Sequence, residues 1–190
     1  MYSRKKGGNT KSPYLALIPK ESNPTTFNRF RPISLCNSSY KILTKIIANR
    51  LKRVLPEIIS ENEGGFVPSW QIIDNVIIVQ EAIHTNIQRK EKGIIVKLDI
   101  ANVFDRVSHT YLTTVLKKFG FSQDIIETIQ ACISTPWIAP LINGRSNKFF
   151  QSSRGLRQEC PLSSFLYIIM AETLSAALEN QRKEKKNCRY

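Results

Sequence analysis

The chain has 190 residues, 42% hydrophobic and 23% charged, with 28 Lys and Arg against 15 Asp and Glu and a net charge of +13. That length supports one domain burying roughly 70% of its unfolded surface; the composition excludes a disordered chain, and the charge favours a polyanion, nucleic acid ahead of an anionic membrane. Cys36, Cys132, Cys160 and Cys188 stand far apart with no Cys-x-x-Cys pair, no apolar run approaches a bilayer span, and no apolar h-region follows Met1, which argues against a structural zinc site, a disulfide scaffold, a membrane anchor and secretion. The expectation is an intracellular protein of the nucleus or cytoplasm, its oligomeric state open.

Residues 1–13 and 181–190 are basic and are expected to be flexible ends, leaving residues 14–180 as one domain without repeat or linker. Tyr14 to Pro19 is apolar enough for a short strand ended by proline. Ser38 or Ser39 can cap a helix reaching about Leu55, where Pro56 follows; Leu43, Ile46, Ile47, Leu51 and Val54 fall at helical spacing and predict its core face, opposite Lys41, Lys45 and Lys52. A second helical pattern runs from about Asp74 to Arg89, with Val76, Ile77, Gln80, Ile83 and Ile87 on one side. The β-branched run Ile94-Ile95-Val96-Lys97-Leu98-Asp99 reads as a buried strand. Helices are predicted over His109 to Phe119, closed by Gly120, and from Ser122 onward, carrying Ile125, Ile126, Ile129 and Ile133. Asn143-Gly144 between two apolar runs signals a hairpin, and a last helix is predicted from Leu162 to Asn180. Helices interleaved with a few strands make an α+β domain.

Asp99 closes the predicted strand. An aspartate there can hold Mg²⁺ at the rim of a sheet, since hard oxygen ligands suit a hard cation; taken alone, an aspartate at a strand end is more often an ordinary loop cap. The surrounding wording adds to this. Lys97-Leu98-Asp99-Ile100-Ala101-Asn102-Val103-Phe104-Asp105-Arg106-Val107 and Arg154-Gly155-Leu156-Arg157-Gln158-Glu159-Cys160-Pro161-Leu162-Ser163 together resemble two signature motifs of reverse transcriptases of the non-LTR, or LINE, type. The resemblance implies that Asp99 is the catalytic residue and metal ligand. It implies that Phe104 is a steric gate, its ring lying where the 2′-hydroxyl of a ribonucleotide would sit; a packed core aromatic is compatible with that role. In the second motif a loop leads into a long helix, lying against the incoming nucleotide and the template base. Gln158 matches the glutamine of the nucleotide pocket, and Gly155 and Arg157 match template or loop contacts. Glycine permits close backbone approach, and a helix start offers amide donors.

Upstream, Leu17-Ile18-Pro19-Lys20 and Phe30-Arg31-Pro32-Ile33-Ser34-Leu35 resemble the fingers segment of the same family, whose lysine and arginine grip the triphosphate. Lys20 and Arg31 match them, a point charge and a bidentate fork. The likeness continues through Tyr40-Lys41-Ile42-Leu43, Ala48-Asn49-Arg50-Leu51, Phe66-Val67-Pro68 and Ile72-Ile73-Asp74-Asn75. It covers about residues 14–180 in the family order and is closest in wording to plant elements. It implies the fingers and an incomplete palm of a right-hand polymerase, mostly helical with a small antiparallel sheet. It also implies an RNA template, a DNA primer, deoxynucleotides and Mg²⁺ as partners.

Several positions depart from the family pattern. Its Tyr/Phe-Ala-Asp-Asp hairpin, which carries further metal-binding aspartates, is absent, and no aspartate follows Asp124. One carboxylate cannot fix two Mg²⁺ ions, so the chain is expected to be truncated and inactive alone. Glu159-Cys160 stands where the family usually has Gly-Asp. An anion about 6 Å from a phosphate charge, at an effective dielectric near 20, is repelled by about 3 kcal/mol before screening, which corresponds to about two orders of magnitude in affinity. Ser69-Trp70 replaces Gly-Arg, and Asn102-Val103 replaces Lys-Ala before the gate aromatic. Two other readings stay open: a non-catalytic RNA- or DNA-binding remnant, and a marginally folded product with no role.

Overall fold

The computed structural model describes residues 13–60, 72–98, 100 and 102–187. Asp99 lies outside the described residues, and so do Ala101 and the Phe66 to Trp70 stretch.

Strand β1 (Tyr14–Pro19) pairs antiparallel with β2 (Phe30–Leu35), from Tyr14 against Leu35 to Pro19 against Phe30. β1 also pairs with β3 (Trp137–Ile142) in parallel, Tyr14 against Ala139. β3 pairs antiparallel with β4 (Arg145–Ser146) and with β5 (Phe150–Gln151). The strand order is β2-β1-β3-β4, with β5 on β3. The small sheet is therefore mixed where an antiparallel one was expected. β1 and β3 are joined through a long helical stretch and not by a tight turn, so a parallel register is open to them. The predicted hairpin forms: Asn143 (φ 50°) and Gly144 (φ 74°) both take the left-handed conformation that a two-residue turn of matching twist requires.

Helix α1 (Ser38–Ile58) is capped by Asn37 and not by either serine; the Asn37 Oδ1 accepts from the Tyr40 amide at 2.8 Å. Pro56 lies inside its last turn, where a missing N–H costs little, and Ile59 N still bonds Leu55 O at 2.9 Å. The buried stripe is Thr44, Ala48, Leu51 and Leu55. Leu43, Ile46 and Val54 of the expected face are 46%, 48% and 37% exposed. The apolar arc of α1 is broader than its neighbours cover, and periodicity alone does not say which row they cover. Thr44 takes its place in the core because its hydroxyl donates back to Tyr40 O at 3.0 Å.

Helix α2 (Ile72–Arg89) ends at Lys90, whose φ of 55° lets Glu91 N reach Asn86 O at 3.0 Å. Val76, Ile77, Ile83 and Ile87 on its apolar side are exposed. The predicted strand that follows does not form: residues 91–98 have no regular structure, and Ile94 and Leu98 are 92% and 73% exposed. A β-branched run fits a pleated, half-buried surface but needs a neighbouring strand to make one, and no described strand pairs with it.

A short helix α3 (Val103–Arg106) leads to α4 (His109–Lys118) and α5 (Gln123–Ser134), as periodicity predicts. Ser108 caps α4, accepting from Tyr111 N at 3.3 Å, and Gly120 (φ 81°) lets the chain leave it. The last helix, α6 (Ser163–Asn187), runs past the expected Asn180. Leu51 and Leu55 of α1, Leu112 and Leu116 of α4, Ile126 and Ile129 of α5, and Leu166 and Ile169 of α6 form one core cluster. Buried Glu172 of α6 ties in the end of α1 by accepting from Ser60 N (3.0 Å) and Oγ (2.9 Å). No helix among the described residues is long and apolar enough to cross a membrane.

The observed face of α1 is testable. Leu55→Ala is expected to cost about 3 kcal/mol, while Val54→Ala, next along the helix, costs under about 1 kcal/mol. Urea unfolding of the two variants checks this, and equal losses would place the core on a different row.

Candidate functional site

The loop preceding α6 is held against α3 and the residues just after it mainly by backbone hydrogen bonds. Gly155 N donates to Val107 O at 2.7 Å and Leu156 N to Phe104 O at 2.6 Å, while Arg154 bridges to Ser108. His109 Nε2 lies 2.8 Å from Gly155 O. Gly155 has a φ of +92°, and a Cβ there would meet the Asp105 and Phe104 backbones at 3.1–3.2 Å. Glycine is thus required twice over, for its conformation and for the closeness of the two segments.

This pinning puts Phe104 and Gln158 on one cleft of about 340 Å³, lined also by Arg157, Glu159, Cys160, Ser163 and Ser164. The Phe104 ring packs on Tyr167 of α6, with centroids 5.3 Å apart, which fixes it from behind. Glu159 stands exposed at this cleft with a φ of +67°, a conformation that costs a side-chain-bearing residue about 1–2 kcal/mol. A second cleft of about 300 Å³ lies on the other side of the loop, where Asp105, Arg154, Gly155 and Gln158 meet Pro32 and Ser34 of β2. A larger hollow of about 580 Å³ between α1 and α5, reaching Trp137, is lined by Tyr40 and Leu43 but by none of Lys20, Arg31, Phe104, Gly155, Arg157 and Gln158.

Lys20 and Arg31 are both exposed on the β1–β2 hairpin and line neither cleft. Lys20 Nζ donates to Asn28 O at 3.1 Å and its amide to Arg29 O at 2.8 Å, while Arg29 pairs with Glu21. Arg31 sits opposite Ile18 in the ladder. Arg157 turns inward: its guanidinium carbon lies 4.4 Å from the Tyr40 ring centroid, and Nη2 donates to Tyr40 Oη and to Cys132 O. Tyr40 Oη itself donates to Cys132 O at 2.8 Å. Burial pushes the Tyr40 hydroxyl well above the usual phenol range and raises the Cys36 and Cys132 thiols, with Arg157 opposing in each case. The contacts of Tyr40 and His109 were not legible in the sequence: Tyr40 lies in the family wording with no role attached, His109 in none of it, and both contacts are long-range.

No group of three or more His, Cys, Asp or Glu side chains that could hold a metal occurs among the described residues. The donors present there do not fit an Mg²⁺ pair.

A small mixed sheet with a helical core, a pinned loop and a packed aromatic on one cleft is consistent with an α+β partial polymerase fold. The family described as reverse transcriptase (RNA-dependent DNA polymerase) matches residues 18–190, and the chain belongs to that family. It is similar to a transposon TX1 uncharacterized 149 kDa protein of Xenopus laevis, 31% identical over 167 residues, covering 88% of this chain and 13% of that protein. It also resembles a Pol polyprotein from the type-2 retrotransposable element R2DM of Drosophila melanogaster, 26% identical over 86% of this chain and 15% of that protein. A third likeness is to a type-1 R2 element Pol polyprotein of Popillia japonica, at 23% over 91% and 25%. These relatives agree with the non-LTR retrotransposon class, and the chain spans a quarter of their length or less.

Two exchanges at the loop should move stability in opposite directions. Glu159→Gly relieves the left-handed backbone at an exposed site and is expected to gain about 1 kcal/mol. Gly155→Ala, strained and crowded at once, should lose at least about 2 kcal/mol. Urea midpoints measured at constant m-value check both.

Proposed function

We propose that residues 14–180 are the nucleotide-holding fingers and partial palm of an RNA-directed DNA polymerase, intracellular, and inactive in primer extension as this chain alone. The observation that supports this best is that Phe104 and Gln158, distant in sequence, face one cleft. Phe104, backed by Tyr167, excludes the 2′-hydroxyl of a ribonucleotide, and the Gln158 amide meets the sugar region. Lys20 and Arg31 receive the triphosphate from the β1–β2 hairpin, which must lie over the cleft to do so. Gly155 lets the loop backbone approach the template side. Asp99 is the carboxylate that would hold one Mg²⁺, an ion that would act as a Lewis acid in phosphoryl transfer only where further metal-binding carboxylates complete the site.

The net charge of +13 favours a second activity that survives without chemistry: binding of RNA template and DNA primer along a basic surface. Affinity for a short RNA–DNA duplex is then expected to fall roughly a thousandfold between 50 and 200 mM salt, read by fluorescence anisotropy. Salt-independent binding would remove that reading.

For the nucleotide site, equilibrium binding of a fluorescent deoxynucleotide is the direct test. A preference over the ribonucleotide, reduced about tenfold or more by Phe104→Ala, is expected, with no Mg²⁺-dependent extension of a primer. Binding with no sugar preference would dismiss Phe104 as the gate. Extension that Asp99→Asn abolishes would show a complete metal centre and overturn the inactive reading.

A further inference from the structure

Arg157 is a cation turned into the protein with no acidic partner among the described residues. The ion pairs there are Arg29 with Glu21 and Arg182 with Glu179. Its Nη1 is buried without a hydrogen-bond partner, and its Nη2 rests on Tyr40 Oη and Cys132 O. The titratable groups that face it are Tyr40 from α1, Cys132 from α5, Cys36 after β2 and Cys160 from its own loop, with Lys41 acting on Cys36 from α1. None of these is a carboxylate; Glu159 shares the Phe104 cleft with Arg157 and Asp105 shares the second cleft, and neither forms an ion pair with it. Removing a cation from water without a counter-charge is costly, and here the compensation comes from two oxygen acceptors and the face of one ring.

The position of Tyr40 gives that arrangement a use. Its hydroxyl accepts from Arg157 and lies 3.9 Å from Cys160 Sγ, and residues 157 and 160 bracket Gln158 and Glu159. Upstream, the loop is fixed by the Gly155 and Leu156 amides. Across the bracket the backbone offers only a long 3.4 Å contact from Cys160 N to Arg157 O. We propose that Tyr40 and Arg157 are a positioning pair: one buried hydroxyl on α1 holds both ends of the turn that presents Gln158 to the cleft. The pair holds it below full strength, because the cation it secures has no paired acid among the described residues. The importance of Gln158 rests on the nucleotide reading above. The turn's geometry can be measured with no nucleotide present, so the two ideas fail separately.

Amide hydrogen exchange on the full chain is the test. Tyr40→Phe keeps the ring over which Arg157 stacks and removes only the hydroxyl. Exchange at Cys160 and Ser163 is expected to quicken about tenfold or more, with amides in the middle of α4 and α5 changed less than about twofold. Uniform acceleration along the chain, or none at the turn, overturns the proposal. Cys160→Asp, compared with the isosteric Cys160→Asn, tests it in the stabilising direction in case Tyr40→Phe fails to fold. Beside Arg157 the new carboxyl should titrate below its unfolded value of about 3.9. Its stabilisation is then present above that value and lost as pH falls through the folded one. The expected result is a melting temperature about 4 °C above that of the Asn variant at pH 7, the difference shrinking as pH falls from about 4 toward 2. No advantage over Asn at pH 7, or an advantage undiminished at low pH, would mean that Arg157 needs no partner and would sink the proposal.

Discussion

Two backbone hydrogen bonds, Gly155 N to Val107 O and Leu156 N to Phe104 O, join segments far apart in sequence, and the rest of the site takes its geometry from them. They set the distance between the packed aromatic of α3 and the loop before α6, and so the width of the cleft between. Because both partners are main chain, the register tolerates substitution nearly everywhere along the two segments. The exception is residue 155, where any Cβ would be driven into the backbone of residues 104 and 105. Departures such as Val103, Glu159 and Cys160 can therefore accumulate without moving the cleft. They change its charge and its local strain, while its walls stay in place.

How much of this could be read beforehand follows from what kind of contact carries each feature. α4 and α5 were legible because each has a cap, a periodic stripe and neighbours that bury that stripe. The Asn143-Gly144 turn was legible because its chemistry is local. The face of α1 was legible only as a broad arc; which row is buried depends on α6, more than a hundred residues away. Ile94 to Leu98 carries a strand signal with no described strand to answer it. In the site, family wording named both Phe104 and Gln158, and both line one cleft. It could not show that Arg157 faces the interior, because that depends on a tyrosine hydroxyl and a carbonyl from two other elements. Lys20 and Arg31 share a hairpin as their motif suggests, yet no described contact brings that hairpin's cations to the cleft.

Cohesion is unevenly distributed. The helices α1, α4, α5 and α6 share one core, and a buried carboxylate on α6 closes the end of α1. α2 and the segment after it add exposed apolar side chains and contribute nothing to that buried cluster. Segments with few buried contacts open at a small fraction of the global unfolding free energy. The stable part of the molecule is thus the part that carries the loop and Phe104.

The parallel pairing of Tyr14 with Ala139 also sets a timetable. On a ribosome adding about 5–20 residues per second, β3 leaves roughly 6–25 s after β1. Until then β1 has β2 on one edge and no described strand on the other. The hairpin nearest the N-terminus is thus the earliest sheet element available and the latest to be enclosed. Its dwell time as an open edge is governed by translation speed more than by its own stability.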